Sequence, residues 1–422
     1  MENILYDHAG RPIRRSDLKK NQAAPSVAGV RNYAMLNPGR TMTPYRLASA
    51  LRAAAEGDIS AQSLLFEDME EKDAHIFAEV SKRKRAVTGN PWTVLPADDS
   101  AQASKQAEFT AKILAKLRFG DLLFDMLDAI GKGFSALELT WDISSGQAVP
   151  IIAEHKPQGW FQFSSVVGAQ HAAPLRLLDG TLDGEALIPF KWIVHEHKAK
   201  SGSPYRGALY RVLAWLFLFR NYSLNAWVQF VESFGVPLRL GKYPPGSPEA
   251  DKDKLLEAAA AIASEAAVVI PEGMDLEIIE QSKRAGANPH RDLLDWSKHA
   301  ISVAVIGGTL TAGTQQGGAY ALGQVHNEVR RDIQKSDTRQ AEETLNEQLI
   351  KPIVDLNFGP QEAYPFIKIK MPDTEDKKLQ AEIIRILASA GFTEIPVSFI
   401  RDKFNIPAPG KDEKTLGDLQ SG

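Results

Sequence analysis

The chain of 422 residues contains no cysteine. Disulfides, thiolate nucleophiles and Cys-ligated zinc are excluded at once. It has no positive excess either: 49 Lys and Arg against 53 Asp and Glu leave a net charge of −4 and an isoelectric point near 6.2. A tight nucleic-acid binder carries a basic surplus, so any DNA contact must be local or weak. Long apolar runs are missing. The most membrane-like stretch, Leu209 to Phe219, is cut by Arg211 and closed by Arg220, whereas a spanning helix needs roughly 20 apolar residues. The opening residues, Met1 to Asp7, have an acid at Glu2 and no apolar segment, so no signal peptide is expected. Walker-type Gly-x-x-x-x-Gly-Lys-Ser/Thr, Gly-x-Ser-x-Gly and His-Glu-x-x-His motifs are all absent.

What is present is an ordinary globular composition, 44% hydrophobic and 24% charged, in a chain long enough for two or three domains. Residues 1–40 read as an arm, basic at Arg11, Arg14, Arg15, Lys19 and Lys20 and interrupted by Pro12, Pro25 and Pro38. Thr43-Pro44 is a helix start, and helices are expected over Pro44–Glu56, Ile59–Lys84, Ala101–Lys116 and Leu122–Gly131. Alternation predicts strands at Asn90–Pro96, Gly133–Trp141, Val149–Glu154, Trp160–Phe163, Leu175–Leu177 and Lys191–His197. Ser203-Pro204 opens a long helix over 205–234 that is apolar on every side. A small α/β insert follows, with strands at Pro237–Leu240, Ala267–Ile270 and Leu276–Glu280 and a helix over Pro248–Ala263. A second helix (Arg291–Ile306) runs into a Gly/Thr/Gln loop, and a long charged helix (Tyr320–Ile350) is stopped by Pro352. Its polar middle, Gln334 to Glu343, suits a helix crossing a large assembly. A short strand at Ile367–Lys370 and helices over Asp376–Ala390 and Pro396–Phe404 complete an α+β chain whose last residues, from Pro407, read as disordered.

Three motifs invite chemistry and are read plainly. His195-Glu196-His197 could be a metal pair, but no motif supplies a third ligand, so a solvated strand edge is expected. Lys82-Arg83-Lys84-Arg85 reads as a solvated helix end that complements the helix dipole, with a subunit or DNA contact as the alternative. The run Glu67, Asp68, Glu70, Glu71 and Asp73 reads as a solvated acidic face. The loop residues Gly307, Gly308, Thr309, Thr311, Gly313, Thr314, Gln315, Gln316, Gly317 and Gly318 carry no charge, and no Lys or Arg occurs between Lys298 and Arg330. Such a loop offers weak, exchangeable contacts to a partner that moves, whereas dense Lys/Arg contacts would hold phosphates. No cofactor or metal is expected.

The order of parts resembles the portal proteins of tailed bacteriophages, in the Mu-like branch. The resemblance rests on Gly202-Ser203-Pro204-Tyr205-Arg206-Gly207-Ala208-Leu209, Phe234-Gly235-Val236-Pro237, the Ala-rich insert, the Gly/Thr loop and the helix closing Leu349-Ile350-Lys351-Pro352-Ile353. It implies an N-terminal arm (1–40), a wing (41–204), a stem helix (205–235), a clip (236–287), a second stem helix (288–306), a tunnel loop facing DNA (307–319), a spine helix (320–352), a wing return segment (353–375) and a short crown-like helical tail (376–422). It also implies a ring, usually dodecameric, at one capsid vertex, the channel for packaging and ejecting double-stranded DNA. The implied partners are further copies of the chain, DNA, the major capsid protein, the terminase large subunit and a head-tail connector, with no membrane and no catalysis. Subunit contacts would come from Trp215, Phe219, Trp227, Phe230, Val325 and Val329. Two rival classes stand beside this reading: a capsid-associated scaffold or adaptor without a channel, and a Mg²⁺-dependent nuclease built on the acidic run.

Overall fold

Thr43 starts the first long helix by accepting the Arg46 N–H at 3.2 Å, with Pro44 at the first helical position. The computed structural model describes residues 4–6, 12–24, 31, 42–144, 146–163, 174–234, 239–261, 267–274, 289–308, 319–371, 377–392, 394, 396–404 and 406. A short antiparallel pair, β1 (Ile4–Tyr6) and β2 (Pro12–Arg14), precedes α1 (Arg15–Lys19). Part of the expected arm is folded in: Leu18 and Ala23 are buried, and the Glu138 carboxylate accepts the main-chain N–H groups of Gln22 and Ala23. Then come α2 (Pro44–Ala55), α3 (Ser60–Lys72) and α4 (Ala74–Thr88). The single helix expected over Ile59–Lys84 is two helices. Asp73 is extended between them and caps α4 by accepting the N–H of His75 at 2.9 Å and Ile76 at 3.1 Å.

A strand β3 (Trp92–Leu95) and helices α5 (Ala101–Lys116), α6 (Phe119–Met126) and α7 (Ala129–Lys132) lead to the main sheet. Its strands are β4 (Phe134–Asp142), β5 (Val149–Lys156) and β9 (Trp192–Glu196), antiparallel in the order β5-β4-β9. A 3₁₀ turn (Gln158–Trp160) connects β5 to a second, smaller sheet of β6 (Phe161–Phe163), β7 (Leu175–Leu177) and β8 (Glu185–Ala186). Gly133 opens β4 with φ +93, and a Cβ there would stand 2.3 Å from the Pro204 carbonyl oxygen, so only glycine fits.

After a one-turn helix α8 (Pro204–Gly207) the chain breaks at Ala208 and continues as α9 (Leu209–Phe234). The insert is a β-α-β unit: β10 (Arg239–Tyr243) and β11 (Ala267–Pro271) are parallel, joined through α10 (Glu249–Ala261), whose Leu255 packs over Gly241. The strand expected at Leu276–Glu280 lies outside the described residues. Next are α11 (Pro289–Ile306) and α12 (Ala319–Leu345). Pro352 does not stop this last helix. A π-helical turn (Asn346–Ile350) passes into α13 (Lys351–Phe358), which holds Pro352 buried near its start and ends at Gly359 with φ +80. The wider turn removes the clash between a proline ring and the preceding carbonyl. Last in this unit, β12 (Phe366–Ile369) pairs antiparallel with β3.

Three apolar clusters hold the unit. The first joins one face of β4 to α5, α6, β12 and the Leu345–Ile353 stretch. The second joins α2, α3, α4, α9 and α11. The third packs Phe134, Phe161, Phe163 and Trp192 edge-to-face under the small sheet. Residues 370–422 form a separate unit with two described helices, α14 (Lys377–Ser389) and α15 (Val397–Phe404); Ile386 and Val397 on them and Phe392 between them are exposed.

Candidate functional site

The two helices flanking the insert set the geometry of interest. α9 packs along α11 and is apolar all round in sequence, but its faces have different fates. Tyr210, Leu213, Ala214, Phe217 and Leu218 are buried, while Val212, Trp215, Phe219 and Tyr222 form an exposed stripe at helical spacing. Phe219 is 43% exposed, and its ring lies 6.1 Å from that of Trp215. Toward the helix end, Phe230 is exposed and Trp227 half-buried. α11 adds Trp296, 57% exposed, and Val303. Exposed apolar and aromatic side chains in this number on two neighbouring helices make them a candidate interaction face.

The residues of the basic run are spread over different environments. Lys84 is buried against Asp128 at 3.2 Å and over the Phe124 ring at 4.2 Å. Arg83 grips Asp337 of α12 with Nε and Nη2 at 2.7 and 2.8 Å. Only Lys82 and Arg85 face solvent, and Lys82 pairs with Glu79 at 3.0 Å. A solvated helix end therefore does not describe Arg83 or Lys84.

His195 and His197 are not at a solvated edge either. Both are buried, and burial holds each imidazole neutral, with its pKa pushed down to about 3. The His195 Nδ1 lies 2.8 Å from the Thr344 hydroxyl. The free edge of β9 is covered by α12 and the turn after it: Gln348 accepts the Val194 N–H at 2.7 Å and donates to its carbonyl at 3.0 Å, and Gln340 accepts the Lys198 N–H at 2.7 Å. One face of the polar middle of the long helix is thus turned inward, with Asp337, Thr338 and Glu342 buried, while Lys335, Ser336, Arg339 and Glu343 face solvent.

Glu67, Glu70 and Glu71 of the acidic run line a cavity of about 1020 Å³ between α3, α4, α7 and the 3₁₀ turn. Lys132 is its hub, 2.6 Å from Glu67, 2.9 Å from Asp128 and 3.5 Å from Glu70. Burial opposes the Lys132 charge, but the three carboxylates outweigh it and raise its pKa. Burial would likewise raise Asp128, yet Lys132 and Lys84 hold it well below the carboxylate range. Glu70 is raised, first by burial and then by Asp128. Asp73 is buried against Arg220 at 2.8 Å. Glu67, Asp68, Glu70 and Asp73 are therefore structural counterions, while Glu71 faces solvent as expected. Among the described residues no group of three or more His, Asp and Glu is placed to hold a metal ion, and no helix is long and apolar enough to cross a membrane.

Of the predicted loop, Gly307 and Gly308 are described, and Thr309, Thr311, Gly313, Thr314, Gln315, Gln316, Gly317 and Gly318 lie outside the described residues. Gly307 has φ +75, and a Cβ there would stand 2.5 Å from Val329 Cγ1 on α12. Val329 is exposed, and the Val325 side chain is outside the described residues. Sequence reasoning missed the pairs Arg83–Asp337, Lys132–Asp128 and Arg220–Asp73. The first and last join partners more than a hundred residues apart, and no local pattern marks them.

The sequence model described as portal protein of Mu bacteriophage matches residues 63–406. The portal protein of Escherichia phage Mu is 36% identical over 415 residues, covering 97% of this chain and 79% of the relative. The Mu-like prophage FluMu protein gp29 of Haemophilus influenzae is 34% identical over 426 residues, covering 99% and 80%. Among solved structures, a chain from the neck of an empty GTA particle, computed with C6 symmetry, aligns with a TM-score of 0.50 at 12% identity, over 81% of this chain and 94% of that one. That likeness concerns the fold alone.

Proposed function

The chain belongs to the family of portal proteins of Mu bacteriophage, and from that premise we propose that it closes into a dodecameric ring at one capsid vertex. The ring is the channel through which double-stranded DNA is packaged and ejected. It is also the platform on which the terminase large subunit, the major capsid protein and a head-tail connector dock. In this reading residues 41–204 are the wing, α9 and α11 the stem, the β10–β11 insert the clip, residues 307–319 the DNA-facing loop, α12 the spine and residues 376–422 a crown-like cap.

The observation that carries the reading is the exposed apolar stripe Val212, Trp215, Phe219 and Tyr222 on α9, beside Trp296 and Val303 on α11. A ring closes through heterologous contacts, one face of each copy against a different face of the next. An aromatic stripe on a long helix supplies the apolar part of such a contact. The uncharged loop suits a channel, because it adds no phosphate-binding cations where DNA must slide.

Single-particle imaging together with mass by light scattering tests this. A dodecamer of 46.3 kDa chains has a mass of about 556 kDa. A closed ring with an opening wide enough for duplex DNA is the expected result. A chain that stays monomeric or dimeric with capsid components present would sink the ring and leave a scaffold or adaptor.

A further inference from the structure

Arg83 is one of four consecutive basic residues, and a basic run beside a DNA channel invites the assignment of a phosphate contact. Its surroundings contradict that. Nε and Nη2 hold the Asp337 carboxylate of α12 at 2.7 and 2.8 Å in a two-pronged pair. Nη1 donates to the Val305 carbonyl at 3.0 Å. Nη2 also lies 3.3 Å from His197 Nε2, just past β9. The side chain is mostly buried and its charge is answered by Asp337, so it has little to offer a phosphate.

The acceptors belong to different elements, and two of them lie on the helices that border the loop, Val305 at its entry and Asp337 well along the helix that follows it. Val305 is the last residue but one of α11, the helix that enters residues 307–319. Its carbonyl is among the last four of that helix, which no backbone N–H inside the helix satisfies. Asp337 is on α12, the helix that leaves the loop. Both contacts originate from one guanidinium on α4. Neighbouring contacts repeat the arrangement. The His75 ring lies 2.9 Å from the Ser302 hydroxyl and 3.0 Å from the Lys298 carbonyl, tying α4 to α11. The Gln334 amide donates to the Ala86 carbonyl, tying α12 to α4. At the junction, Gly307 meets Val329 and Ile333 so closely that a Cβ would not fit.

We propose that Arg83 is a positioning residue of the loop 307–319: a single buried guanidinium fixes the end of the helix that enters the loop to the body of the helix that leaves it, so that the loop's entry stands on a rigid base. The proposal rests on the reading of these residues as a DNA-facing loop. The planar fork is what this fastening requires. A lysine keeps the charge but has a point-like ammonium that cannot grip a carboxylate in two places and reach a third acceptor.

The test uses the full chain carrying Arg83→Lys, which keeps the charge, or Asp337→Asn, which removes its counterion. Backbone hydrogen exchange is followed at residues 303–308 and 329–340, with the β4 amides as internal reference. DNA retention by assembled particles is measured across a salt series. The expected result is exchange about 10-fold or more faster around Val305–Gly308, unchanged β4 protection, and weaker retention with an unchanged salt slope. Removing a residue that binds phosphate would instead lower that slope, by about 0.9 for each phosphate no longer neutralised. Unchanged exchange near Val305, an equal rise in β4, or a reduced salt slope would each overturn the proposal. If exchange rises as expected but retention is normal, and stays normal when residues 309–316 are deleted, the DNA-facing reading of the loop fails while the fastening by Arg83 stands.

Discussion

At the scale of single residues, the interior holds ionisable groups whose charge state is part of the fold. His195 and His197 are kept neutral by burial, and the Arg83 charge adds to the effect on His197. Their folded pKa values, about 3, lie below the ordinary 6.5. The unfolded chain therefore binds protons more readily in that interval. Stability is full above pH 6.5 and is lost as pH falls toward 3, by roughly 1.4 kcal/mol per pH unit for each histidine. Replacing both, as His195→Asn with His197→Gln, should flatten the acid limb of a denaturant titration between pH 6.5 and 4. An acid limb identical to that of the parent chain would show that other groups control it. Gly307→Ala is a second test at this scale. It places a Cβ against Val329 at positive φ and should cost about 1–3 kcal/mol in thermal unfolding.

At the scale of elements, the long helix α12 does more than cross the molecule. Gln340 of α12 and Gln348 of the π turn after it complete the hydrogen bonding along the open edge of β9 and just past it, and Thr344 meets the His195 ring. Gln348→Leu keeps the volume but leaves the Val194 N–H and carbonyl without that partner. A loss of about 2 kcal/mol is expected from urea unfolding; an unchanged midpoint would mean that water replaces the glutamine. The periodicity of α12 was legible in sequence, but its continuation through Pro352 was not, because the π turn that admits the proline depends on how Leu349, Ile350 and Ile353 pack into the core. The break at Asp73 was hidden for a related reason. The Asp73 carboxylate caps α4 and also pairs with Arg220 on α9, a partner that no local pattern announces.

For the molecule as a whole, the prediction concerns assembly. Trp215→Glu together with Phe219→Glu places two charges on the exposed stripe of α9 without touching the buried face. Circular dichroism and the melting temperature should be nearly unchanged, while ring formation seen by light scattering is abolished. Rings of normal mass would remove this stripe from the subunit contact. Deletion of Thr309–Gln316 is the complementary experiment: the ring should form, and DNA packaging or retention should fail. Loss of assembly instead would make the loop a structural element.

The sequence by itself determined the elements and their order. The α5 boundaries, the main strands, the β-α-β insert and the pair of helices around the Gly/Thr loop follow from apolar periodicity, caps and turn residues, which act over a few positions. The resemblance to portal proteins could be read for the same reason, since it lies in the order of those parts. Only the tertiary structure decided which polar residues are solvated. Arg83, Lys84, His195, His197, Asp73 and Asp337 all look like surface in a linear reading, and each is buried in whole or in part against a partner that the fold supplies. Likewise α9, apolar on every side, has one face spent on the core and another left exposed because α11, α2 and α3 cover only the first. Burial of a charge is favourable only when its counterion arrives, and for Arg83 and Asp73 that counterion comes from a distant part of the chain brought close by folding.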